Sequence, residues 1–136
     1  MQMNDSVYVM PYKSAMHQLG IDPLAIPDTV SLSREGLESL FKIVLRGVPV
    51  DEEWYRTTYP DVDAAIKQGA YKSAKHHFVE NGYFEGRRPG KVVVDQDWYK
   101  RVYPDIAEGI EFGEISSCQE HFDQHGEAEG RSPREY

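Results

Sequence analysis

Apolar side chains recur at helical spacing in the segment 31–49, whereas residues 1–30 show little periodicity. The segment 31–49 places Leu37, Leu40, Phe41, Val44 and Leu45 on one helical face. This spacing predicts an amphipathic helix that ends near Gly47. Residues 1–30 contain three prolines, so we predict an N-terminal arm around a short helix near 13–19.

The second half of the chain repeats itself. A shift of 44 residues aligns 50–89 with 94–133 without a gap, and 17 of the 40 aligned pairs are identical. Duplication at this period is typical of supersecondary units that bury one another's apolar faces. We therefore predict two repeats, residues 50–93 and 94–136, which the amphipathic helix at 31–49 caps on the N-terminal side.

Each repeat contains capping and helix-ending residues at the spacing expected of three short helices. In the first repeat, Asp51 is a good N-cap for one helix, and Pro60 ends that helix and begins the next. A third helix is expected from about Ser73 to Gly82, and the second repeat has the same residue types at the aligned positions. Neither repeat contains an alternating β-branched run, so little or no sheet is expected. The predicted fold is all-α, with two tandem three-helix repeats of about 40 residues in one compact domain.

Composition narrows the classes of function. The chain of 136 residues has a net charge of −8, which argues against nonspecific binding to nucleic acid. No run approaches the ~18 apolar residues of a membrane span, and the first 30 residues lack the pattern of a secretory signal. The single cysteine excludes an internal disulfide. We therefore expect a cytoplasmic protein that does not insert into membranes.

The negative charge is concentrated in the second repeat. Residues 50–89 hold six Lys or Arg against seven Asp or Glu, a net charge of −1, whereas 94–133 hold three against ten, a net charge of −7. One interpretation is a solvated face that maintains solubility. The other is a docking face for a basic protein partner, steered by charge. The extra acidic residues are Glu108, Glu111, Glu114, Glu120, Asp123 and Glu127.

The histidines of the third helix are the most inviting chemical groups. His77 and His121 occupy aligned positions before a phenylalanine. We therefore expect packed imidazoles that bond to a backbone carbonyl or to the aspartate of the Tyr-Pro-Asp (Y-P-D) motif in the same repeat, Asp61 or Asp105. A metal ligand or general base is the alternative, because His121 and His125 have the i, i+4 spacing of a helical zinc pair. The first repeat has Asn81 in place of the second histidine and no H-E-x-x-H motif exists, so no metal or other cofactor is expected.

The remaining candidates are aromatic, basic and thiol groups. Tryptophan and tyrosine rings can stack on sugars, but their repetition favours packing, with at least one ring per repeat exposed or at an interface. The "GRRPGK" stretch is a weak anion-site signal without the P-loop ending. Cys118 aligns with Ala74 and is interpreted as a core residue rather than a nucleophile. The candidate ligand- or partner-binding residues are Trp54, Tyr55, Arg87, Arg88, Trp98, Tyr99, Glu111, Glu114, Asp123 and Arg131.

The pattern "W-Y…Y-P-D-[VI]…G…H-F…G…E-G-R-x-P" over residues 50–133 resembles a short bacterial helical repeat. That repeat is found beside glycosyltransferase domains and in surface-associated proteins. The resemblance implies an accessory module of polysaccharide production and brings no catalytic residues. These 136 residues hold two copies of the pattern, and we expect no enzyme domain within them.

The function expected from these observations is a non-catalytic accessory or regulatory module. It would bind a protein of a bacterial polysaccharide synthesis or secretion system. A protein that recognises a carbohydrate or a phosphorylated small molecule is the alternative. An enzyme using His121 and His125 is the least favoured interpretation. The oligomeric state is left open.

Overall fold

A computed structural model describes residues 7–136 of the protein. All regular elements over this range are helices, and it contains no β-strand. The predicted all-α class is therefore confirmed. Residues 1–6 of the predicted N-terminal arm lie outside the described range.

The chain divides into two compact units, Met1–Gly90 and Lys91–Tyr136, called here the first unit and the second unit. The division falls three residues before the predicted start of the second repeat at residue 94. The expectation that the whole chain forms one compact domain stays a prediction.

The first unit begins with α1 (Tyr12–Gln18) and α2 (Arg34–Leu45). The predicted helix near 13–19 is thus present one residue earlier. The Ser33 side chain caps α2 by accepting a hydrogen bond from the Gly36 amide at 3.0 Å. Ala15 and Met16 of α1 form a small buried cluster with Ile43 of α2. The segment around α1 therefore packs on α2.

The predicted apolar face of α2 is wrong in part. Leu37, Phe41 and Val44 are 46 %, 40 % and 51 % exposed, whereas Ile43 and Leu45 are buried. Ile43 packs with α1 and Leu45 with the core of the helices that follow. Because α2 has a partner on each of two sides, its buried residues do not form the single stripe that one partner would require.

Three helical segments follow in the first unit: α3 (Glu52–Thr58), α4 (Pro60–Lys67) and α5 (Ala74–His77). α5 continues directly into a π-helical turn, π1 (Phe78–Gly82). The caps match the expectation, since the Asp51 carboxylate accepts from the Trp54 amide and the Ser73 hydroxyl from the His76 amide, both at 3.0 Å. The expected third helix therefore reaches Gly82, but its last turn is wound more widely than an α-helix.

The second unit has helices at the aligned positions: α6 (Gln96–Val102), α7 (Pro104–Glu111), α8 (Cys118–His121) and the π-helical turn π2 (Phe122–Gly126). Asp95 and Ser117 cap α6 and α8 as their counterparts do in the first unit. Gly113 follows α7 with a φ of +78°, a conformation that favours glycine at a helix end.

Each unit has its own apolar core. The core of the first unit is built from Leu45, Tyr55, Val62, Ala74, Phe78 and Val79. The core of the second unit is built from Val94, Tyr99, Ile106, Cys118 and Phe122. No helix within residues 7–136 is long and apolar enough to span a lipid bilayer.

Candidate functional site

The histidines of α5 and α8 are bonded to buried tyrosines. The Tyr55 hydroxyl lies 2.9 Å from His77 Nδ1, and the Tyr99 hydroxyl lies 2.8 Å from His121 Nδ1. Both tyrosines are fully buried. The expected packed imidazoles are therefore present, but their partner is a phenol rather than a backbone carbonyl or an aspartate. The sequence alone did not reveal this partner, because it lies 22 residues away on another helix.

Burial keeps the Tyr55–His77 pair neutral. It raises the pKa of the Tyr55 phenol to about 12, and desolvation lowers the pKa of His77 below its usual 6.5. The phenol donates to Nδ1 when the imidazole proton is on Nε2, the nitrogen that lies 3.7 Å from Glu85 Oε1. A neutral phenol and a neutral imidazole with this geometry form a structural hydrogen bond.

A glycine makes room for each pair. A Cβ added to Gly82 would overlap the Tyr55 hydroxyl, and one added to Gly126 would overlap the Tyr99 hydroxyl. Both glycines end the π-helical turns. Each turn is closed by a hydrogen bond between residues five positions apart, such as the one that the Tyr83 amide donates to the Phe78 carbonyl at 2.9 Å. The repeated glycine is thus required for close approach of the tyrosine hydroxyl.

The arginine of each E-G-R motif binds the aspartate of the Y-P-D motif. Arg87 donates two hydrogen bonds to Asp61 at 3.0 and 2.8 Å, and its guanidinium lies 4.8 Å from the centre of the Tyr59 ring. Arg131 binds Asp105 in the same way, at 3.1 and 2.9 Å. The two arginines lower the pKa of their partner carboxyls. Both guanidinium groups are therefore already occupied by protein ligands.

The candidate aromatic residues do not form an open platform. Tyr55 and Tyr99 are fully buried, so neither ring face is available to a sugar. Trp54 and Trp98 are half-buried, and each meets a neighbouring tyrosine edge-on. At least one of the tryptophan and tyrosine rings of each repeat was expected to be exposed or at an interface, and the half-buried tryptophan is exposed only in part.

Cys118 is a core residue, as its alignment with Ala74 indicated. The thiol is buried in the second core, and desolvation raises its pKa. A buried thiol with a raised pKa is protonated and a poor nucleophile.

The extra acidic residues of the second unit are all exposed. They are Glu108, Glu111, Glu114, Glu120, Asp123 and Glu127. Among them, Glu108 and Glu111 lie in the last turn of α7, which has no basic residue. Phe112 follows directly and is 68 % exposed. Phe112 was not among the candidate residues, although its alignment with Gln68 was a signal that this position is not part of the core.

A partly enclosed cavity of about 130 Å³ lies beside this acidic surface in the second unit. Its lining includes Glu114, Ile115, Glu120, His121 and His125. The ring centres of the two histidines lie 5.9 Å apart. No group of three or more His, Cys, Asp or Glu residues in the described part of the chain is placed to hold a metal ion.

The arrangement as a whole is that of two well-bonded folding units, one of which has an acidic surface with an exposed aromatic ring and a small cavity. Comparison with models of known protein families, with characterised proteins and with solved structures finds no match to this chain.

Proposed function

We propose that the protein is a non-catalytic accessory or regulatory module that binds a basic-surfaced protein through its second unit. We further propose that residues 50–93 and 94–136 are tandem copies of one three-helix repeat, with α2 as the capping helix. The resemblance of the repeat points to a partner in bacterial polysaccharide synthesis or secretion.

The first support is that the repeated polar residues are bonded within their own units. Asp51, Asp61 and His77 each have an intramolecular partner, and so do their counterparts in the second unit. What the two units share thus serves folding, and function is sought in what they do not share.

The observation that carries the proposal is the charge at the C-terminal end of α7. Carboxylates are unfavourable there because the helix dipole is negative at that end. The first unit follows the rule, since Lys67 ends α4 and pairs with Asp63 at 2.9 Å. The second unit has Glu111 in place of Lys67 and Ala107 in place of Asp63. A feature that opposes folding locally is expected where function requires it.

The exposed ring of Phe112 fits the same function. Aromatic residues are common anchors at the centre of protein interfaces, and a polar rim excludes water around them. Glu108, Glu111 and Glu114 lie close to Phe112 in sequence and are exposed. This surface therefore suits a partner with an apolar contact point among basic groups.

The test combines capture and measured binding. The full chain is used to purify its partner from the native organism, and the affinity is then measured with both proteins purified. We expect Phe112→Gln, which restores the residue of the first unit, to weaken binding at least about tenfold. Asp28→Asn, an exposed change in the first unit, is the control and should leave the affinity unchanged.

Calorimetry against oligosaccharides and nucleotides tests the alternative. Tight binding of either class, with no protein partner recovered, would contradict the proposal and favour a small-ligand-binding protein. Equal partner affinity for the wild type and for Phe112→Gln would remove the role assigned to this surface.

A further inference from the structure

The second-unit cavity, defined above by Glu114, Ile115, Glu120, His121 and His125, adjoins a histidine whose counterpart in the first unit is in contact with a tyrosine ring. There the residue aligned with Ile115 is Tyr71, whose ring lies edge-on to His77 at 4.7 Å. The Tyr71 hydroxyl also accepts a hydrogen bond from Asn81 at 2.5 Å. The first unit thus covers its buried histidine with a tyrosine that is itself held in place.

Two coordinated differences open this place in the second unit. Ile115 replaces Tyr71, and Gly109 replaces Ala65. A Cβ on Gly109 would lie 2.6 Å from Ile115 Cδ1, so the glycine lets the isoleucine lie against α7. Correspondingly, His77 is buried whereas His121 is only half-buried. The cavity beside His121 therefore results from residue differences between the two units.

The lining of the cavity is acidic. Glu120 accepts hydrogen bonds from two neutral groups, the Ser116 hydroxyl and the Gln124 amide. Among the described residues, no Lys or Arg side chain pairs with Glu114 or Glu120. The first unit has Ala70 and His76 at the aligned positions. The cavity thus has two carboxylates without a cationic partner.

This chemistry selects a cation over other ligands. Two carboxylates without a cationic partner repel phosphate and other anions, and polar side chains make a poor site for an apolar group. The absence of a three-ligand cluster in residues 7–136 argues against a metal ion. A cavity of about 130 Å³ approaches the 150 Å³ that holds one benzene molecule. That is enough space for the end of one long side chain.

We propose that the second-unit cavity receives the ammonium or guanidinium group of a lysine or arginine side chain from the partner protein. The carboxylates of Glu114 and Glu120 bind the cation, and Ile115 contacts its aliphatic stem. The inference rests on the proposed function, because it names the partner group that the acidic surface recognises. It also explains why the covering tyrosine of the first unit is missing in the second.

The cavity is tested by NMR titration of the full chain with Nα-acetyl-lysine-N-methylamide and with the matching arginine compound. We expect resonances of Ile115, His121 and His125 to shift with a dissociation constant on the order of 1 mM, because a single side chain offers few contacts. Resonances of Tyr71 and His77 should not move. The norleucine analogue, which has the stem without the charge, should not bind.

Two variants separate the cavity from general attraction by charge. Ile115→Tyr with His125→Asn restores the residues of the first unit and should close the cavity, which abolishes the shifts while leaving the net charge unchanged. Glu114→Ala, at an exposed position where the first unit has Ala70, should weaken lysine binding without affecting the fold. Unchanged binding in both variants would overturn the inference, and so would equal binding of norleucine.

Two further outcomes assign the source of the cation and separate the two proposals. Binding of n-butylamine about tenfold tighter than blocked lysine would indicate a free amine and would overturn the assignment to a partner side chain. If the partner binds the cavity-closing variant with wild-type affinity, the inference fails while the proposed function stands. If no partner is found, the proposed function fails, and the titration still decides whether the cavity binds a cation.

Discussion

The Tyr55–His77 bond and its counterpart show how single residues connect the helices of each unit. Tyr55 reaches His77 because Gly82 has no side chain, so the three residues form one packing arrangement drawn from two helices. A substitution at any one of these three residues therefore alters the packing of the other two. The identity of the repeated glycine is therefore set by a contact within the unit.

Gly82→Ala is expected to destabilise the protein by roughly 1–3 kcal/mol, because its methyl group would overlap the Tyr55 hydroxyl. In a Tyr55→Phe background the added cost of Gly82→Ala should be smaller, since the clashing atom is gone. Urea unfolding of the four proteins measures this coupling. Gly90→Ala is the control, because its Cβ would meet only Asp51 Cβ at 3.7 Å. Additive costs at positions 55 and 82 would contradict the proposed contact.

His77 is expected to make stability fall in mild acid. A histidine in the unfolded chain has a pKa of about 6.5, and burial lowers the pKa of His77 in the folded chain despite the nearby Glu85 carboxylate. Between these two values the unfolded chain holds a proton that the folded chain lacks. The contribution of His77 is therefore complete above about pH 6.5 and is lost as the pH falls toward the folded pKa.

Urea unfolding at pH 7.5 and at pH 5.5, combined with NMR titration of the His77 ring, measures this effect. His77→Gln should remove part of the pH dependence, whatever it costs in stability at pH 7.5. A ring that titrates at or above pH 6.5 in the folded protein would contradict the expectation.

Among the elements, α4 and α7 occupy aligned positions in the two units but differ in charge at the C-terminal end. Both begin at a proline and bury aligned residues, Val62 and Ile106. They differ at the last residue, which is Lys67 in α4 and Glu111 in α7. The first arrangement suits the helix dipole and the second opposes it.

Glu111→Lys is therefore expected to stabilise the protein by about 0.3–1 kcal/mol while weakening partner binding. Stability is measured by urea unfolding and affinity with the purified partner. Lys67→Glu in the first unit is the matched reversal. It should destabilise the fold, because it also removes the ion pair with Asp63, and should leave binding unchanged. A loss of both stability and binding in Glu111→Lys would show that Glu111 serves folding instead.

At the scale of the whole molecule, the two units have the same tyrosine–histidine, arginine–aspartate and capping hydrogen bonds, but they differ in surface charge. Residues 50–89 have a net charge of −1 and residues 94–133 a net charge of −7, and all six extra acidic residues of 94–133 are exposed. Such charges act at a distance on an approaching partner more than they act on the fold. The charge of the second unit is therefore expected to govern the rate of association.

Association with a basic partner should slow as salt rises, because exposed charges are screened beyond a Debye length of about 10 Å at 0.1 M. The triple reversal of Glu111, Glu114 and Asp123 to Lys should slow association while leaving helix content unchanged. Stopped-flow mixing gives the rate and circular dichroism the helix content. Asp28, Glu35 and Glu53 reversed to Lys in the first unit change the net charge equally and serve as the control. Equal association rates for the two triple variants, or association rates that do not change with salt, would show that the acidic residues form only a solvated surface.

The sequence by itself determined the helical class, the three short helices in each of the segments 50–93 and 94–136, and the caps of these helices. Proline, glycine and capping side chains act on neighbouring backbone, so their effects can be read locally. The sequence also determined the charge difference between residues 50–89 and 94–133, and it indicated the core position of Cys118. The caps at Asp51 and Ser73 are examples in which local chemistry was sufficient.

Only the tertiary structure decided which groups meet. Tyr55 meets His77 across 22 residues and Arg87 meets Asp61 across 26, and no local spacing identifies such partners. The buried side of α2 depended on two packing neighbours rather than on its own pattern. The cavity beside His121 depended on where Ile115 lies against Gly109. Side-chain contacts between distant segments are set by how the helices pack, which the order of residues along one helix does not contain.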